Sequence, residues 1–251
     1  MIVNMNRFVK NLATVMLLMV VAVCCNKPDE PHNGGNHNGQ NDTVIDDNGS
    51  VDGQDYVDLG LPSGILWATC NVGAEGPEDP GNYFAWGETT PKEMYDWKQY
   101  EFSRFVEGEY LITKYCTNSD CGYNGFVDNL TVLELADDAA TANWGTGWRM
   151  PTKEEWTELL GNTTNMMTEQ NGVRGRLFTG PNGNSLFLPN TGFYLDNELI
   201  CSNLGVYWTS TLQTSFQIIS WSYHSDSEEC HVCGTYERSR GQCVRAIRAT
   251  K

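Results

Sequence analysis

Pro151-Thr152-Lys153-Glu154-Glu155-Trp156 constrains this chain more tightly than any other stretch. Pro151 has no amide donor and a fixed φ, so a strand that reaches it ends there. Thr152 can accept from the amide of Glu155 while the Glu155 carboxylate reaches back to the amide of Thr152. That reciprocal pair is a capping box, and it starts a helix. Glu154 and Glu155 also face the positive end of the helix dipole. Trp156, Leu159 and Leu160 share one helix face. Gly161 is expected to stop the helix. The spacing therefore predicts a short amphipathic helix over 152–160 packed on a sheet.

Little else in the chain reads as helix. Ala136 to Trp144 suits a second one, with Asp137 and Asp138 at its start. The other patterned runs read as strands: Asp55 to Leu59, Ile65 to Val72, Tyr83 to Trp86, a strand near Arg176 to Thr179, Ser185 to Pro189, Val206 to Thr211, Phe216 to Tyr223 and Val244 to Arg248. Asn182-Gly183 between two β-type runs predicts a hairpin. Residues 90–130 read as a long excursion of loops and short strands. With 25 Gly, 8 Trp, 11 Tyr and 9 Phe, the composition suits a loop-rich α+β domain packed on aromatics.

The N-terminus reads as a targeting segment. Arg7 and Lys10 precede an apolar core, Leu12 to Val23, of about 12 residues, short of the ~20 that span a bilayer. Cys24-Cys25 follows at once. A cysteine there resembles a bacterial lipoprotein signal over 1–25, with Cys25 preferred as the lipidated residue and Cys24 the alternative. An ordinary secretory peptide cleaved nearby is the competing reading. Asn26-Lys27-Pro28-Asp29-Glu30 resembles the acidic export signal of surface lipoproteins in the Bacteroidetes. Residues 26–54 are rich in Asn, Gly and Asp and read as a flexible tether. The domain itself is expected over 55–251.

A net charge of −16 argues against nucleic acid as a partner. No phosphate-binding loop, dinucleotide fingerprint, nucleophile elbow or zincin helix occurs. No cofactor is expected. Seven cysteines follow the signal: Cys70, Cys116, Cys121, Cys201, Cys230, Cys233 and Cys243. In an exported chain they can oxidise, and Cys116 with Cys121 is the nearest local pair. Cys230-His231-Val232-Cys233 is half of a zinc motif with no second half, so no metal is assigned to it.

Several further motifs occur in one order. They include Tyr56-Val57-Asp58-Leu59-Gly60-Leu61-Pro62-Ser63-Gly64, Leu66-Trp67-Ala68-Thr69-Cys70-Asn71, Tyr83-Phe84-Ala85-Trp86-Gly87-Glu88 and Ala139 to Trp144. The Trp148 to Trp156 stretch, Tyr207-Trp208-Thr209-Ser210-Thr211 and the Val244-Arg245 terminus continue the series. Together, over about 55–249, they resemble the Fibrobacter succinogenes major paralogous domain of gut Bacteroidetes lipoproteins. The resemblance implies an α+β, C-type lectin-like fold related to the formylglycine-generating enzyme, with two short helices on mixed, loop-rich β-sheets. It also implies an outer-membrane, cell-surface lipoprotein of a Gram-negative bacterium.

Some proteins of this lectin-like group resemble targets of diversity-generating retroelements, and Leu212 to Arg240 is where such a region would fall. An ordinary variable loop is the alternative. On either reading, Gln217, Ser220, Ser222, Tyr223, His224, Asp226, Tyr236 and Arg238 are the candidate ligand-binding residues, for an extracellular protein or glycan. The usual calcium-site tripeptides of sugar-binding lectins do not occur, so binding is expected to be calcium-independent. Two other classes are weighed. One is an enzyme related to the formylglycine-generating enzymes, with Cys243 as its candidate thiol, although a buried inert thiol is the preferred reading of that residue. The other is a structural component of a surface assembly.

Overall fold

The structure, a computed structural model, describes residues 49–249. The signal over 1–25, the Cys25 anchor and tether residues 26–48 lie outside the described residues. Strand β1 (Gly49–Val51) forms a hairpin with β2 (Gln54–Asp58). Its turn is Asp52-Gly53, both at positive φ (55° and 78°). Strand structure is thus present six residues before the expected domain start at 55. Strand β3 (Leu66–Asn71) pairs with β2, and β4 (Tyr83–Phe84) follows after a loop. Strands β5 (Ser103–Val106) and β6 (Glu109–Ile112) make an isolated ribbon.

Helix α1 (Ala139–Trp144) is capped by Asp138, whose carboxylate accepts from the amides of Thr141 (2.9 Å) and Met150 (2.7 Å). Helix α2 (Lys153–Asn162) has both halves of the expected capping box. Thr152 Oγ1 accepts from Glu155 N at 3.3 Å, and Glu155 Oε2 accepts from Thr152 N at 2.8 Å. Gly161 does not stop this helix. It lies inside the last turn, and the helix closes at Thr163, because an exposed glycine with open space around it costs only about 1 kcal/mol there.

Strands β7 (Thr164–Gln170), β8 (Val173–Thr179) and β9 (Ser185–Pro189) form an antiparallel sheet. The β8–β9 hairpin is the one expected from Asn182-Gly183. Strands β10 (Phe193–Leu195) and β11 (Glu198–Ile200) make a second ribbon. The chain ends with β12 (Gly205–Leu212), β13 (Ile219–Ser225), β14 (Cys230–Glu237), β15 (Gln242–Cys243) and β16 (Arg245–Arg248). The class is α+β: mostly strand, with two short helices.

The five-stranded sheet has the order β14-β13-β12-β15-β4, and the four-stranded sheet β1-β2-β3-β16. Only Val244 separates β15 from β16, and its carbonyl accepts from Val72 N at 3.0 Å. The last strands therefore belong to two sheets at once. Between them the core gathers on Trp156 of α2. Its ring lies 4.6 Å from Tyr223 in a stack and 4.9 Å from Trp67 edge-on. Leu159, Phe178, Tyr207 and Ile247 complete the cluster, all fully buried. Aromatic burial on this scale dominates a domain's stability.

Candidate ligand-binding face

The 212–240 region is not an open loop. Most of it is the β13–β14 hairpin, with Ser220 opposite Tyr236, Ser222 opposite Cys233 and His224 opposite His231. Alternation along a strand sends neighbouring side chains to opposite faces, and here both faces are covered. Tyr223 points into the core against Trp156 and Phe178. Ser220, Ser222 and Tyr236 point to the other face and are also fully buried, with Tyr236 edge-on to Phe193.

Gln217 and Arg238 are buried as well. Of the eight candidates only His224 and Asp226 keep partial exposure, and they stand at the far end of the hairpin. The eight do not share an exposed face. Burial keeps six of them from offering a side chain to a ligand on this surface. Tyr207 and Trp208, considered as sugar-stacking rings, are fully buried too. Trp221 lies beneath Lys153, whose Nζ is 3.8 Å from its ring centre.

Two of the buried six hold up a different surface. The Gln217 side chain accepts from Thr117 N at 2.8 Å and donates to Thr117 Oγ1 at 2.8 Å. Arg238 donates to the carbonyls of Lys114 (2.9 Å), Tyr115 (3.1 Å) and Gln217 (3.1 Å), and to the Tyr100 hydroxyl (2.9 Å). Its guanidinium carbon lies 4.8 Å from the Trp86 ring centre and 5.4 Å from that of Tyr100. Among the described residues it pairs with no carboxylate. A buried cation held by oriented carbonyls and ring faces is a rigid hub, and Arg238 clamps the 114–117 strand end to the 217 loop.

From that hub a long surface segment departs. The Asp128 carboxylate gathers it by accepting from the amides of Tyr115 (2.7 Å), Cys116 (2.9 Å) and Leu130 (3.1 Å). Farther on, the segment runs beside the end of β12, with Leu212 N donating to Thr131 O (2.8 Å) and Leu133 N to Ser210 O (2.9 Å). Tyr123, Phe126, Val127, Val132 and Leu135 all lie on it. They are five of the eight large apolar side chains exposed among the described residues. Large apolar groups concentrated on one surface segment mark an interaction site more often than scattered ones do. Its apolar residues follow neither a helix nor a strand period, so the sequence carries no local signal for it.

Burial acts on five of the seven described thiols. Burial raises Cys116, Cys121, Cys230 and Cys243 above the ordinary thiol range, and it raises Cys233 to about 11. Cys243 is fully buried, as the inert reading expected. Cys116 and Cys121 are not bridged. Cys230 packs against the core while Cys233 faces the other side of β14. Residues three apart on a strand point to opposite faces, so this C-x-x-C cannot chelate. No group of three or more His, Cys, Asp or Glu side chains among the described residues can hold a metal ion.

No protein-family model, curated protein or solved structure matches this chain.

Proposed function

We propose that this chain is a surface-anchored binding protein of C-type lectin-like fold that holds an extracellular ligand on the Tyr123–Leu135 segment and the adjoining 213–218 loop. The observation that carries the reading is the concentration of exposed apolar side chains on a segment that Asp128 ties to Tyr115 and Cys116, within the 114–117 stretch that Gln217 and Arg238 hold. A fastened loop loses little entropy on binding, so its apolar contacts count nearly in full. The lectin-like assignment is supported by the pairing of the last strand, β16, with β3, and by the loop-rich stretch between β6 and α1.

The ligand class that fits best is an extracellular protein. Val127, Val132 and Leu135 offer apolar area and no hydrogen bonds for sugar hydroxyls, whereas protein interfaces bury such side chains at their centres. A glycan remains the second class. A lipid anchor at Cys25 would hold the chain to the outer membrane. If the 212–240 region is diversified by a retroelement, tolerated variation falls at exposed positions such as Ser215 and His231 rather than at buried Ser220, Ser222 and Tyr236.

The test is retention of the full chain on arrays of extracellular proteins and glycans, beside the Phe126→Ser, Leu135→Ser double variant. Retention should fall at least about tenfold in the variant, as for the loss of central apolar contacts, and should survive EDTA. Equal retention by the variant would overturn the reading.

A further inference from the structure

Two of the chain's four histidines meet on the β13–β14 hairpin, well away from the Tyr123–Leu135 segment in sequence. His224 and His231 are direct cross-strand partners. Their ring centres are 5.2 Å apart and the planes are tilted by 32°. The histidine on β13 is partly covered, while the His231 side chain is 47% exposed. The pair therefore opens to solvent on one side.

One hydrogen bond and one nearby carboxylate flank the two rings. His224 Nδ1 lies 2.9 Å from the Tyr236 hydroxyl. Tyr236 is itself fully buried and braced by Phe193. His231 Nδ1 faces the Glu229 carboxylate at 3.9 Å. On both rings the outer partner stands at Nδ1. When a proton sits on Nδ1, Nε2 carries the free lone pair, and this is how ligating histidines are oriented.

We propose that His224 and His231 form a two-imidazole site for a late first-row divalent cation, of the zinc, nickel or copper class. Directly opposed residues on paired strands have Cβ atoms about 5 Å apart. Two nitrogens bound to one tetrahedral ion need to stand only about 3.3 Å apart, from metal–nitrogen bonds near 2.0–2.1 Å. The exposed His231 ring closes that gap by turning about its own side-chain bonds, while Tyr236 fixes its partner. Imidazole nitrogen suits zinc, copper and nickel and is a poor donor for calcium or magnesium.

The surroundings favour a cation. Asp226, Glu228 and Glu229 form the turn that joins the two strands. Asp226 is engaged there, because its Oδ1 accepts from the amides of Glu228 (2.7 Å) and Glu229 (2.9 Å). It contributes field rather than a bond. Cys233 follows on the same face, partly buried, and its sulfur accepts from Thr235 Oγ1 at 3.4 Å. Two protein ligands leave the remaining positions to water, so the site is weak and exchangeable, unlike a closed structural zinc site with four protein ligands.

The experiment is a calorimetric titration of the full chain with zinc chloride near neutral pH. The variants are His231→Gln, His224→Gln, Tyr236→Phe and the Cys230→Ser, Cys233→Ser double substitution. The expected result is one saturable site per chain, at least about tenfold weaker in either histidine variant and unchanged in the double serine variant. Tyr236→Phe should weaken it by about tenfold, the usual cost of losing an outer-shell partner. His231 is exposed, so its variant keeps the fold and decides the outcome even where His224→Gln does not fold. Absence of saturable binding, equal affinity in His231→Gln, or loss in the serine variant would each overturn the assignment.

Discussion

At the scale of single residues, two arginines show how far a side-chain type can mislead about exposure. Arg238 and Arg245 are both fully buried. Arg245 donates to Asn71 Oδ1 (2.8 Å) and to the carbonyls of Ala68 (3.0 Å) and Thr69 (2.6 Å), stitching β16 to β3. Arg238 does the same for the loops around 114 and 217. A guanidinium can serve several acceptors at fixed angles, and an ammonium cannot. Arg238→Lys should therefore destabilise the chain by about 2 kcal/mol or more, through acceptors left unsatisfied, as read by urea unfolding. A change below about 0.5 kcal/mol, the range of ordinary surface substitutions, would mean that the hub carries no strain-bearing role. Arg238 entered the candidate ligand face as part of the 212–240 run. Its burial depends on Trp86, Tyr100 and Tyr115, which lie more than a hundred residues away and which no local pattern links to it.

At the scale of elements, helix α2 was legible because its signal is local. The Thr152 and Glu155 pair appears as the spacing required. The structure adds Arg149, whose guanidinium meets the Glu155 carboxylate at 2.7 and 2.5 Å. Burial alone would raise Glu155, but Arg149 and the Thr152 amide outweigh it and hold the carboxyl below its ordinary 4.5. A carboxyl lowered on folding adds stability that is complete above 4.5 and is lost as pH falls through the folded value. Glu155→Gln should thus cost about 1–2 kcal/mol at neutral pH and progressively less below pH 4.5, in paired denaturation curves. A pH-independent difference would contradict the charge-based account.

Strand β7 was missed for the opposite reason. Thr164 to Gln170 lacks the alternation of a half-buried strand, since it forms the edge of its sheet. The clue was the Asn171-Gly172 turn, where both residues have positive φ (49° and 82°). Strand β14 was missed because its Cys, His and Gly residues have no strong β bias, and pairing with β13 supplies what propensity does not.

At the scale of the molecule, the α+β class and the aromatic core could be read from composition and strand order. The location of the proposed binding surface could not. It arises where a segment without periodicity is pinned against loops distant in sequence, so it becomes visible only once Thr117 meets Gln217 and Lys114 meets Arg238. The hairpin at 219–237 buries most of its side chains, whereas the segment at 123–135, bound along β12, leaves five large apolar ones exposed. The most direct measurement is hydroxyl-radical footprinting of the full chain, alone and with a ligand captured from the arrays. The account predicts protection concentrated at Tyr123, Phe126, Val127 and Leu135, with little change at the β10–β11 ribbon. Protection centred on Leu199 or Met166 instead, with Phe126 and Leu135 still labelled at full rate, would contradict it.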